Sequence, residues 1–146
     1  MNIERKQMES ELKEYCISFL RERGFKGSFP NLYKETKGFV CLINFQFFSS
    51  GGSFCINLSY AEPNRNNVYY KKETEAKKLK ASQTRKRVRL GSENLEGDNW
   101  FSFGKTSYGE FRGNPTSPSE LIEIINNLIT NQAELWWVTK NEKTKS

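Results

Sequence analysis

Between Phe39 and Tyr60 bulky apolar and polar residues alternate with a period of two, on both sides of Ser49-Ser50-Gly51-Gly52. That period sends successive side chains to opposite faces of a strand, and a short Ser/Gly loop joins antiparallel strands into a hairpin. Pairing Phe48 with Ser53 sets Phe47 against Phe54, Phe45 against Ile56, Ile43 against Leu58 and Cys41 against Tyr60, all on one face. The other face receives Leu42, Asn44, Gln46, Cys55, Asn57 and Ser59, with Asn44 directly across from Asn57. A slip of one residue would carry amides into the core, so the pattern selects this register.

Ahead of the hairpin, apolar residues fall at 8, 12, 15, 16, 19 and 20, the spacing of a helix face, and Gly24 supplies a left-handed stop. Phe29 to Lys34 reads as a short strand, with Glu35-Thr36-Lys37-Gly38 as its turn. Beyond the hairpin, Glu62 to Asn67 reads as loop and Tyr69 to Lys80 as an exposed, Lys-rich helix. Arg85 to Leu90 is a strand ended by Gly91, with Val88 and Leu90 inward and Arg87 and Arg89 on the polar face. Trp100 to Phe103 is a further short strand.

A second helix starts at Ser117, whose hydroxyl can cap it, with Pro118 at the first helical position and Glu120 completing a capping box. Leu121, Ile124, Ile125, Leu128 and Ile129 form its expected buried stripe, Trp136 and Trp137 can clamp the sheet, and Thr139 to Ser146 reads as a flexible tail. These elements imply one α+β domain over residues 1–138, with a basic loop or helical insertion at 62–84. Its centre is an antiparallel meander of about four to five strands, both helices packed on the apolar face.

Composition narrows the chemistry. There is no histidine, which removes the side chain best suited to proton transfer near neutrality and the commonest transition-metal ligand. Of 17 acidic residues only Asp98 is an aspartate, so a dense oxygen site for a hard cation is poorly supplied. No metal and no cofactor is expected. Gly104-Lys105-Thr106 imitates the end of a phosphate-binding loop, but the glycine required five positions earlier is Asn99. Ser10-Glu11-Leu12-Lys13 matches S-x-x-K as a solvated helix face.

The opening residues MNIERKQMESELKEYC carry no signal-peptide pattern, and no apolar run approaches the length of a membrane span. A non-exported, cytoplasmic chain without membrane contact is expected, so the Asn57-Leu58-Ser59 sequon would meet no glycosylating enzyme. Cys16, Cys41 and Cys55 form neither an even framework nor a CxxC pair, which fits buried, reduced thiols.

Two surfaces remain as candidates. Asn44, Gln46 and Asn57, joined by Arg87 and Arg89, combine amide donors and acceptors with forks suited to carboxylates or phosphates. The bland alternative is a solvated face, or amides that pair with one another across strands. The net charge of +6 is carried by Lys71, Lys72, Lys77, Lys78, Lys80, Arg85, Lys86, Arg87 and Arg89, opposed there only by Glu73 and Glu75. With Tyr69 and Tyr70 beside it, this stretch can neutralise phosphates and stack bases, although no nucleic-acid motif accompanies it.

Arg23-Gly24-Phe25-Lys26, Leu32-Tyr33-Lys34, Leu42-Ile43-Asn44-Phe45-Gln46 and Phe54-Cys55-Ile56-Asn57-Leu58 occur in an order that resembles the bacterial domain-of-unknown-function family 4304. Arg89-Leu90-Gly91 and Asn99-Trp100-Phe101 are similar to its later blocks, so the resemblance spans roughly residues 8 to 137. It implies no activity. It does imply that Asn44, Gln46 and Asn57 occupy the family's I-N-x-Q and I-N-L positions, and that the Lys-rich connection departs from a shorter family loop. The expected function is non-catalytic binding of another protein through the polar face, by analogy an immunity-type protein. The alternatives are a nucleic-acid-binding module, and an enzyme working through Glu, Lys or Tyr without His or metal.

Overall fold

Met8, Leu12, Cys16 and Leu20 recur every four residues and are fully buried. In an ideal α-helix that spacing drifts by about 40° per step, because a turn takes 3.6 residues. The chain corrects the drift with a wider turn: Arg5–Glu11 and Ser18–Glu22 are α-helical, and Leu12–Ile17 between them is π-helical. The extra residue per turn brings Ile17 into the core and leaves Tyr15 52% exposed, a correction to the α-helical stripe that the sequence predicts. Gly24 closes this helix at φ 95°, with its N–H on the Arg21 carbonyl and the Phe25 N–H on that of Leu20.

The C-terminal helix repeats the device. Leu121, Ile125, Ile129, Ala133 and Trp137 also recur every four residues and are buried, and a π-helical stretch, Ile129–Ala133, separates α-helical Pro118–Leu128 from Glu134–Thr144. Within the α-helical part Ile122 joins the core while Ile124 is 45% exposed, reversing the expected stripe at those two positions. The Ser117 hydroxyl accepts the Glu120 N–H at 3.4 Å, with Pro118 in the first turn, as the capping pattern predicts. Helix continues to Thr144, past the point where a tail was expected.

The computed structural model describes residues 5–36, 39–61, 67–69, 72–74, 87–106, 108–109 and 115–144. Its antiparallel sheet follows the order β1 (Lys26–Ser28), β2 (Asn31–Thr36), β3 (Phe39–Phe47), β4 (Ser53–Ala61), β7 (Val88–Arg89), and β8 (Phe101–Ser102) also pairs with β4. The central register is the predicted one, from Cys41 opposite Tyr60 through Asn44 opposite Asn57 to Phe47 opposite Phe54. β1 is an addition: it pairs with β2 across a turn containing the cis Phe29–Pro30 bond. The expected strand consequently starts later and runs to Thr36, so Glu35 and Thr36 belong to β2 rather than to a turn.

Both helices lie on the apolar face, where Phe45, Phe54, Ile56 and Leu58 share one core with Leu12, Leu20, Ile125 and Trp137. Trp137 fastens the C-terminal helix to the sheet, its indole N–H donating to the Ser59 carbonyl at 2.8 Å. The other face is not the open polar surface that alternation suggests. Val40, Leu42 and Ala61 form a second apolar cluster there against Tyr33, and Ser53, Cys55, Asn57 and Ser59 are buried as well. A second correction concerns Tyr69 to Lys80. Asn67–Tyr69 (β5) and Lys72–Thr74 (β6) pair as antiparallel strands where the expected helix would begin, and residues 75–80 of that expectation lie outside the described residues.

Candidate functional site

Period-two geometry and the β2–β3–β4 register place Asn31, Asn44 and Asn57 side by side across neighbouring strands. Their side chains close a continuous ladder. Asn44 Nδ2 donates to Asn31 Oδ1 at 2.8 Å, and Asn57 Nδ2 donates to Asn44 Oδ1 at 3.0 Å and to Gln46 Oε1 at 3.1 Å. The Cys55 thiol, 3.8 Å away, also donates to Gln46 Oε1. The ladder runs from a buried centre at Asn57, 1% exposed, to an exposed end at Gln46. Among the described residues Asn57 Oδ1 has no hydrogen-bond partner, nor have the buried hydroxyls of Ser53 and Ser102, which lie at paired positions on the same side of the sheet.

β7 adds Arg89 to this face, directly opposite Asn57. Its guanidinium donates to Asp98 Oδ1 at 2.9 Å and lies 5.2 Å from the centre of the Trp100 ring. Trp100 Nε1 in turn donates to Asp98 Oδ2 at 3.0 Å, so one carboxylate holds both recognition-type side chains. The loop around them is locked from two directions. Asn99 Nδ2 donates to the Leu90 carbonyl at 3.0 Å, while Gln132 of the C-terminal helix accepts the Gly91 N–H at 2.6 Å and donates to the Ser92 carbonyl at 3.1 Å.

The segments 42–46, 54–58, 89–91 and 99–101 thus meet in one fold unit, and a profile described as Domain of unknown function (DUF4304) matches residues 17–145. The chain belongs to this family. Comparison with curated proteins and with solved structures finds no match.

Of the residues singled out from sequence, Asn44, Gln46, Asn57 and Arg89 come together on the outer sheet face of this DUF4304 chain, and exposed Arg87 precedes β7. Among the basic candidates, Tyr69 lies on β5 and Lys72 on β6, whereas Tyr70, Lys71, Lys77, Lys78, Lys80, Arg85 and Lys86 lie outside the described residues. Sequence reasoning missed Asn31, Asp98, Trp100 and Gln132. Asn31 had a usable signal, since a β2 register against Asn44 extends the amide row by one strand.

The three cysteines are free and buried. Burial pushes the Cys16 and Cys41 thiols up to about 12, and it raises Cys55 against the opposing pull of Arg89. At neutral pH they are thiols, not nucleophilic thiolates. Among the described residues no cluster of His, Cys, Asp or Glu is placed to hold a metal, and no helix is long and apolar enough to cross a membrane.

Proposed function

We propose that this DUF4304 chain is a non-catalytic domain that binds another protein through the accessible rim of its outer sheet face, at Gln46 and the Arg89–Trp100–Asp98 group. The observation that carries the reading is the amide ladder: Asn31, Asn44 and Asn57 lock one another, and the exposed end at Gln46 is held in place by them. A surface fixed before binding loses little side-chain entropy when a partner seats on it. Cys55 sits against Gln46 and is influenced by Arg89, so the amide row and the Arg89–Trp100–Asp98 group are neighbours. Arg and Trp are the residue types that concentrate binding energy at interfaces.

The test is affinity capture from the native lysate with wild type, Gln46→Lys, Arg89→Ala and, as a remote surface control, Tyr15→Ala. The proposal predicts one partner retained by wild type and Tyr15→Ala and lost by both face variants. Equal capture by all four folded proteins would sink it. A labelled oligonucleotide shifted at low salt and released as salt rises, unaffected by Gln46→Lys, would transfer the function to the basic stretch instead.

A further inference from the structure

A pocket of about 110 Å³ opens at the seam between β2, β3 and the C-terminal helix, away from the amide face. Phe25, Phe39 and Trp137 give it aromatic walls, Cys41 lines it between them, and Lys34 and Glu134 supply its charges. It is smaller than the roughly 150 Å³ apolar cavity that takes up benzene, so it accepts a short branched alkyl group, or one small ring seated part-way into its open mouth.

The charge at this pocket is not balanced. The Glu134 carboxylate is committed to Arg23, whose Nε donates to Oε1 at 2.6 Å and whose Nη2 also reaches it. Lys34 has no carboxylate within ion-pair distance among the described residues, and its ammonium lies 6.0 Å from the Phe25 ring centre. The Lys34 stem is guided there by Gly24: a Cβ at Gly24 would stand only 3.3 Å from Lys34 Cε, so the glycine that ends the helix also leaves the lysine its path. The Thr36 hydroxyl is used on the Phe39 carbonyl at 2.9 Å, which leaves Lys34 as the strong donor of the pocket.

We propose that this seam binds a small aromatic or branched-chain carboxylate, its apolar body packed against Phe39 and the Phe25–Trp137 ring pair, whose centroids lie 5.5 Å apart, and its carboxylate on the Lys34 ammonium. A neutral analogue keeps the burial and loses the ion pair. A cationic analogue meets Lys34 as a like charge. The order of affinity is therefore carboxylate, then alcohol, then amine, for the same ring.

The experiment is a titration of the ¹⁵N-labelled protein with benzoate, benzyl alcohol and benzylamine, following the Trp137 indole resonance and the backbone amides of Cys41 and Val138. Saturable shifts at these positions are expected, with benzoate the tightest of the three. Lys34→Gln should weaken benzoate by about tenfold, the size of one charge-assisted hydrogen bond, and leave benzyl alcohol unchanged. The amide spectrum of the variant reports its fold in the same experiment. Benzoate binding no tighter than benzylamine to wild type overturns the proposal even if the variant misfolds. So does the absence of saturable shifts at Trp137, or benzoate affinity unchanged in a folded Lys34→Gln.

Discussion

At the scale of the residue, Asn57 has the most exacting position in the molecule. Among the described residues both of its side-chain bonds are donated by one amide nitrogen, to Asn44 and to Gln46, so its removal strips two acceptors at once. Asn57→Ala is expected to cost about 1–3 kcal/mol, the range for leaving a buried polar group without its partner. Denaturant midpoints at constant slope measure it, and a variant as stable as wild type would show that the ladder is decorative. The facing of Asn44 and Asn57 was legible from sequence because a period of two leaves no freedom once a register is chosen. The burial of Asn57 was not, since alternation tells which face a side chain occupies and nothing of what covers that face.

The element scale is governed by spacing and by closures. Both helices repeat their buried residues every four positions, and both contain a π-helical stretch that keeps the stripe aimed at the sheet. The sequence displayed the repeat, but a reading fixed at 3.6 residues per turn assigns Tyr15 to the core in place of Ile17, whereas Ile122 and Ile124 flank their α-helical stripe about equally at that period and only the packing selects Ile122. Caps were easier to read, because Gly24 and Ser117 act through local chemistry alone. The loop after β7 depends instead on distant partners, Asn99 and Gln132. Gly91 there has φ 89°, and an added Cβ would meet Asn99 Nδ2 at 2.5 Å. Gly91→Ala should therefore destabilise the fold by about 1–3 kcal/mol through backbone strain and displacement of Asn99. Thermal unfolding reads this out, and an unchanged midpoint would contradict the packing around the loop.

At the scale of the whole molecule, β4 is buried on both faces, with the helices against one and the amide ladder with the Val40–Leu42–Ala61 cluster on the other. The hairpin register and the side taken by the helices were fully legible, since one oily face forces both. The closing of the second face was hidden because its residues, Ser53, Cys55, Asn57 and Ser59, have the composition of a surface. The central claim is that this second face holds a locked amide row. Its most direct measurement is NMR of the side-chain amide protons of Asn44 and Asn57. Slow solvent exchange for Asn57, with cross-strand contacts from its amide protons to the Asn44 and Gln46 side chains, is the predicted result. Exchange as fast as in a free peptide, with no contact across the strands, would contradict it.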